Sequence, residues 1–154
     1  MGRMLNFEQD LSVGHQTEKE VLYFLKKIDK DAHQVEGYHK EYDIICPNWK
    51  RTFEVKNDIV SNKTQRVGIE TEYNGNPSGI NTTKADYWVI KTLENYYVIN
   101  TQLLKNLIKF KRNNKYLIQN KQVKMKFLPI QELIDNSIRV FLGTKLNGGK
   151  QCTI

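Results

Sequence analysis

Two short runs of alternating residues, separated by a polar break, stand out in the first half of the chain. Residues 42–46 (Tyr-Asp-Ile-Ile-Cys) and 52–56 (Thr-Phe-Glu-Val-Lys) each read as a strand, and 47–51 reads as the turn between them. Side chains alternate faces along a strand, so Glu54 and Lys56 point one way and Val55 the other. Ahead of this pair, 17–30 predicts a helix, because Val21, Leu22, Leu25 and Ile28 recur at helical spacing. Thr17 is its expected N-cap, with Glu20 completing a capping box. Residues 32–38 form a weaker strand candidate, 57–66 a loop, and 67–73 a clear alternating strand that puts Glu70 and Glu72 on one face. Turn residues fill 74–79, and 80–85 suggests one or two helical turns. Strands are expected at 86–90 and 96–99, then a helix capped by Thr101, a strand at 122–128, and a short helix opened by Pro129. The order is helix, three strands, strand and short helix, two strands, helix, strand, helix. That is a mixed α/β pattern without internal repeats.

With 154 residues, one domain over 1–142 followed by a loose tail at 143–154 is the expectation. No apolar run reaches the length of a membrane span, and no signal-peptide pattern opens the chain, so the expected location is the cytoplasm. Cys46 and Cys152 have no metal-ligand spacing, and His15, His33 and His39 are scattered. Cys46 reads as a core residue and Cys152 as part of the tail.

Charge adds a partner class. The net charge is +7, yet it is unevenly spread. Residues 95–131 contain no Asp or Glu and eight basic side chains: Lys105, Lys109, Lys111, Arg112, Lys115, Lys121, Lys124 and Lys126. The other 16 Lys and Arg face 17 acids, so the whole excess comes from this stretch. Lysine-rich usage alone leaves the missing acids unexplained; a surface facing a polyanion accounts for both.

The candidate chemistry lies in the two strands. If they pair as a hairpin, Asp43 stands beside Glu54, and two carboxylates and the Lys56 ammonium converge. Such a set suits a divalent metal held next to a phosphate, with an activated water. Glu18 shares the apolar side of the first helix with Val21, Leu22 and Leu25, where a carboxylate is costly without a partner.

A helix with an inward Glu, a hairpin with Asp, and Glu54-Val55-Lys56 on the next strand resembles the PD-(D/E)XK nuclease superfamily. The resemblance spans roughly residues 16–90. The segment 68–89, with Pro77-Ser78-Gly79-Ile80 and Thr83-Lys84-Ala85-Asp86-Tyr87-Trp88, is similar to phage-borne members grouped with Holliday-junction resolvases. Tyr42 stands where the family name implies Pro; that position is a backbone feature and not a ligand. The resemblance implies a restriction-endonuclease-like αβββαβ core, a helix then a mixed sheet with flanking helices. It implies a metal-dependent DNA endonuclease using Mg²⁺, with Mn²⁺ as a substitute. Asp43, Glu54 and the Val55 carbonyl are then the metal ligands, Lys56 assists the attacking water or the charge on phosphorus, and Glu18 supplies a helix acid. Glu20 is the alternative helix acid, and Glu70 and Glu72 are possible extra acids or a solvated strand face. Lys50, Arg51, Ser78, Thr83, Lys84, Lys109, Lys111, Arg112 and Lys115 are candidate DNA contacts. Trp49, at the hairpin tip, faces nucleic acid or covers the edge of the core. The small size favours selection by DNA shape, as in a junction resolvase, and paired incisions then require a homodimer. A sequence-specific restriction-type enzyme and a non-catalytic DNA-binding module of the same fold are the alternatives.

Overall fold

The computed structural model describes residues 7–37, 41–58, 61–92, 95–143 and 152–153. Its central element is a mixed sheet in the order β1-β2-β3-β6-β7-β10-β11. The strands are β1 (His33–Gln34), β2 (Ile44–Cys46), β3 (Arg51–Asn57), β6 (Tyr87–Thr92), β7 (Asn95–Asn100), β10 (Arg139–Leu142) and β11 (Cys152–Thr153). All neighbours are antiparallel except β3 and β6, which run parallel. A second, antiparallel sheet has the order β5-β4-β9-β8, from β4 (Arg66–Tyr73), β5 (Asn76–Pro77), β8 (Asn114–Ile118) and β9 (Lys121–Pro129). The helices are α1 (Phe7–Leu25), α2 (Ser61–Thr64), α3 (Thr101–Ile108) and α4 (Ile130–Asn136), with a 3₁₀ turn at Gly79–Asn81.

Alternation along the central strands sorts two cores onto opposite faces of the large sheet. Val21, Phe24 and Leu25 of α1 pack on Phe53, Val55, Val89 and Val98. Trp88, Ile90, Tyr97 and Ile99 pack the other way, on Val67 and Ile69 of β4, Leu128 of β9, and Leu104 and Leu133 of the two later helices. The result is a layered α/β arrangement: α1, the large sheet, then the small sheet with α3 and α4. Burying a side chain such as Phe24, Phe53 or Trp88 is worth about 1.5–3 kcal/mol.

Several sequence expectations change. The first helix begins at Phe7, so Thr17 is not its cap; it sits inside, with Oγ1 donating to the Val13 carbonyl at 3.0 Å. Asn100, not Thr101, caps α3, accepting the Leu103 N–H at 3.1 Å, while the Thr101 hydroxyl donates to the Ala85 carbonyl. The expected loop at 57–66 contains α2. Where the resemblance implies a helix between the third and fourth core strands, the described residues show the four-residue α2 and a 3₁₀ turn. The connection from β3 to β6 instead runs through α2, β4, β5 and the 3₁₀ turn. Strands β8 and β10 were not expected. Cys152 pairs with Phe141 in the sheet, while 144–151 and 154 of the expected loose tail lie outside the described residues. The last part of the 32–38 strand candidate also lies outside them, and β1 covers only its start. No helix among the described residues is long and apolar enough to cross a membrane.

Candidate active site

The expected hairpin forms, with Ile44 opposite Phe53 and Cys46 opposite Arg51. Asp43 lies just before β2 and is tied into the ladder: its N–H donates to the Phe53 carbonyl at 2.9 Å, and its carbonyl accepts the Val35 N–H at 2.8 Å. Its side chain, 5% exposed, accepts the Val55 N–H through Oδ2 at 2.8 Å. Because Phe53 and Val55 face α1, Glu54 and Lys56 face the small sheet. There the Lys56 ammonium pairs with Glu54 at 3.0 Å and lies 5.6 Å from the centre of the Trp88 ring.

Burial pulls the Lys56 ammonium down. The charge and hydrogen bond of Glu54, then the charges of Asp43 and Glu70, outweigh burial and leave it above the ordinary lysine value. Three carboxylates from three elements thus act on one ammonium. Glu70 arrives from β4 in the small sheet, held there by a close approach. Gly79 has φ +55°, and a Cβ on it would lie 2.3 Å from the Glu70 carbonyl oxygen.

Glu18 is placed on the α1 side. The helix α1 packs on the opposite face of the sheet, and Glu18 reaches the β1 edge, where it accepts the Gln34 side-chain N–H at 3.1 Å. The third carboxylate whose charge acts on Lys56 is Glu70. Glu20 is also on the α1 side; it pairs with Lys91 at 2.8 Å and accepts the Tyr96 hydroxyl. Burial raises its carboxyl, but bonds from Lys91 and Tyr96 hold it below the usual value. Glu72 is ion-paired to Lys124 at 2.9 Å, beyond a register shift that separates it from Glu70.

The remaining candidates divide by position. Arg51 opens β3 five residues, or roughly 17 Å, from Lys56, and Lys50 lies in the turn just before it. Trp49 stacks on Tyr87 at 6.0 Å and tilts against Phe53, so it covers the edge of the core. Its turn is held by Asp29, which accepts the backbone N–H groups of Asn48 and Trp49. The Ser78 N–H donates to the Thr71 carbonyl, and its hydroxyl is buried without a partner, so Ser78 presents neither group outward. The Thr83 hydroxyl accepts the Ala85 N–H, and Lys84 is exposed beside Glu41. In the basic stretch, Lys111 pairs with Glu132 and Lys126 donates to the Ile108 and Lys109 carbonyls at the end of α3. Lys109, Arg112, Lys115 and Lys121 are exposed. Burial pushes the Cys46 thiol up to about 12, which removes it as a nucleophile.

Lys56 and Glu70 open into a cleft of about 610 Å³ between the sheets. Its walls include Arg66, Trp88, Tyr116, Leu117 and Phe127. The β8 residues among them were missed because that strand is exposed along most of its length and shows no alternation in polarity. The turn residues Gln119 and Asn120, both at positive φ, were the available signal for the β8–β9 hairpin.

The donor chemistry fits a hard cation, since Asp43, Glu54 and Glu70 offer oxygen only. Among the described residues, no three acid, His or Cys side chains are already gathered as a metal-binding group. Two carboxylates and waters are enough for Mg²⁺, so these oxygens are of the right kind for such an ion. No protein-family model, no curated protein and no solved structure matches the chain.

Proposed function

We propose that the chain is a metal-dependent DNA endonuclease of the PD-(D/E)XK type, selective for DNA shape. The observation that carries this reading is Lys56. Its ammonium is ion-paired to Glu54, under the charge of Asp43 and Glu70, and lines a cleft. Core order adds support: α1, the antiparallel run β1-β2-β3, then β6 returning parallel beside β3. So does the exposed basic edge at Lys109, Arg112 and Lys115.

In this reading Asp43 and Glu54 would hold Mg²⁺, with Glu70 in place of the helix acid. The chemistry such an ion supplies is activation of a water and neutralisation of phosphate charge. Lys56 contributes positive charge where the phosphorane charge grows. The charges of Glu54, Asp43 and Glu70 favour its charged form in the metal-free chain, which suits a group that stabilises developing charge. Asp43, locked to Val55, fixes the strand register that sets Glu54 and Lys56 on the cleft side.

The test is cleavage of a four-way junction, a linear duplex and single strands with Mg²⁺ or Mn²⁺. Cutting of the junction, abolished by Asp43→Asn with DNA binding retained, is the expected result. Selective cutting of linear duplex at one sequence would move the reading to a restriction-type enzyme. The Glu54–Lys56 ion pair also suits a non-catalytic DNA-binding module, in which the acids only satisfy the lysine. That reading gains if the purified chain binds DNA and cuts none of these substrates.

A further inference from the structure

We infer that the cleft beside Lys56 takes one unpaired nucleotide of the substrate strand, with its base against the β8–β9 wall. The inference rests on reading Lys56 and its acids as a phosphodiester site, and names the DNA feature that this site selects.

Size sets the first limit. A space of about 610 Å³ is within the usual range for a small-molecule site and holds a single nucleotide. A duplex, whose major groove alone is about 12 Å wide, does not enter it. A base that enters this space has therefore parted from its complement.

The wall chemistry matches a base. Phe127 and Tyr116 present aromatic faces, their ring centres 6.0 Å apart and nearly perpendicular. The Arg66 guanidinium lies 4.1 Å from the centre of the Phe127 ring. A flat cation on an aromatic ring is a stacking platform for a base, and its charge also suits a flanking phosphate. Leu117 is 78% exposed, and Tyr116 and Ile118 are 40% and 48% exposed, so this apolar wall is left uncovered by the chain's own packing.

Trp88, 1% exposed, also lines the cleft, with its indole Nε1 buried and without an acceptor. Asn57 reaches the lining too, but its side chain is turned to α1, where Nδ2 donates to Thr17 Oγ1 at 2.8 Å.

The test measures binding in EDTA, where cutting plays no part, by anisotropy of labelled DNA. Three probes are compared: a duplex with one bulged thymidine, the same duplex with an abasic bulge, and the fully paired duplex. The bulged thymidine is expected to bind about tenfold more tightly than the abasic bulge, the scale of one base stacked on an aromatic ring. Leu117→Glu places a carboxylate on the wall at an exposed position, so the fold is retained. It should reduce that preference to within about twofold. Equal binding of thymidine and abasic bulges by the unaltered chain overturns the inference, and so does a preference that survives both Leu117→Glu and Tyr116→Ala. Cleavage with Mg²⁺ is read separately. Cutting without base preference sinks the pocket and leaves the nuclease reading intact, whereas base preference without cutting does the reverse.

Discussion

The Asp43 carboxylate accepts the backbone N–H of Val55 at 2.8 Å, so the acid that opens β2 is fastened to the residue between Glu54 and Lys56. The bond makes the geometry of the candidate site a property of strand register. It also gives Asp43 two separable roles. Asp43→Ala leaves the Val55 N–H without its acceptor in a buried setting and should cost about 1–3 kcal/mol in urea unfolding. Asp43→Asn keeps an oxygen that can accept this N–H and should cost less than about 1 kcal/mol. Both should abolish Mg²⁺-dependent cutting. Equal destabilisation by the two substitutions would show that the bond to Val55 does not hold the hairpin.

Lys56 gives a pH prediction. Its pKa is raised in the folded chain, because Glu54, Asp43 and Glu70 outweigh burial. The stability it contributes is therefore present in full below the ordinary value of 10.5 and lost as pH rises through the raised folded value. Lys56→Met should be less stable than the unaltered chain by a gap that is constant across neutral pH and narrows only above 10.5. Cutting should fall by about 10²–10³-fold, the loss expected for a preorganised charge at a developing oxyanion. A cleavage profile whose alkaline limb near neutral pH disappears in Lys56→Met would instead assign a proton-transfer role to Lys56.

The hairpin was legible because alternation over 42–46 and 52–56 carries its own face assignment, and the turn is local. The same logic fails for contacts between distant segments. Glu70 and Glu72 look alike on β4, and only the pairing of β4 with β9, some fifty residues away, separates them: a register shift lies between them, and Lys124 takes Glu72. The surroundings of Glu18 were not legible for a related reason. Helical spacing told which side of α1 is apolar, but not which face of the sheet that side would cover. Thr17 was read as a cap because the apolar stripe begins after it. The first part of α1, with Gln9, Asp10, Ser12 and Gly14, shows no stripe to read. The cleft was invisible for the same reason as Glu70, since its walls come from both sheets.

Glu20 and Glu70 give a test that separates a structural acid from the proposed catalytic one. Lys91 and Tyr96 hold its carboxyl below the usual value despite burial. A lowered folded pKa means stability that is present above 4.5 and lost as pH falls through the folded value. Glu20→Gln should cost about 1–3 kcal/mol at neutral pH, the scale of a bond to a charged group, and the cost should vanish in acid. Cutting should be within about twofold of normal once the variant is folded, whereas Glu70→Gln should cut far more slowly with little loss of stability. If Glu20→Gln is the stable, inactive variant and Glu70→Gln is active, the acids have been assigned to the wrong faces of the sheet.

Gly79 and Ser78 are neighbours with opposite expectations. Gly79 sits at φ +55°, and a Cβ there would lie 2.3 Å from the Glu70 carbonyl oxygen and 3.0 Å from the Glu70 Cβ. Gly79→Ala must pay the left-handed strain of about 1–2 kcal/mol and also push against the backbone that carries Glu70. Melting should show a loss of at least about 2 kcal/mol, and cutting at a temperature where the variant stays folded should fall too, because Glu70 moves away from Lys56. The Ser78 hydroxyl, buried with no partner, gains nothing from being polar. Ser78→Ala should be neutral or slightly stabilising and should leave cutting and DNA binding unchanged. A destabilised Ser78→Ala beside a tolerated Gly79→Ala would reverse the account: the hydroxyl would then be held by a partner, and Glu70 would owe its position to something other than the close approach of residue 79.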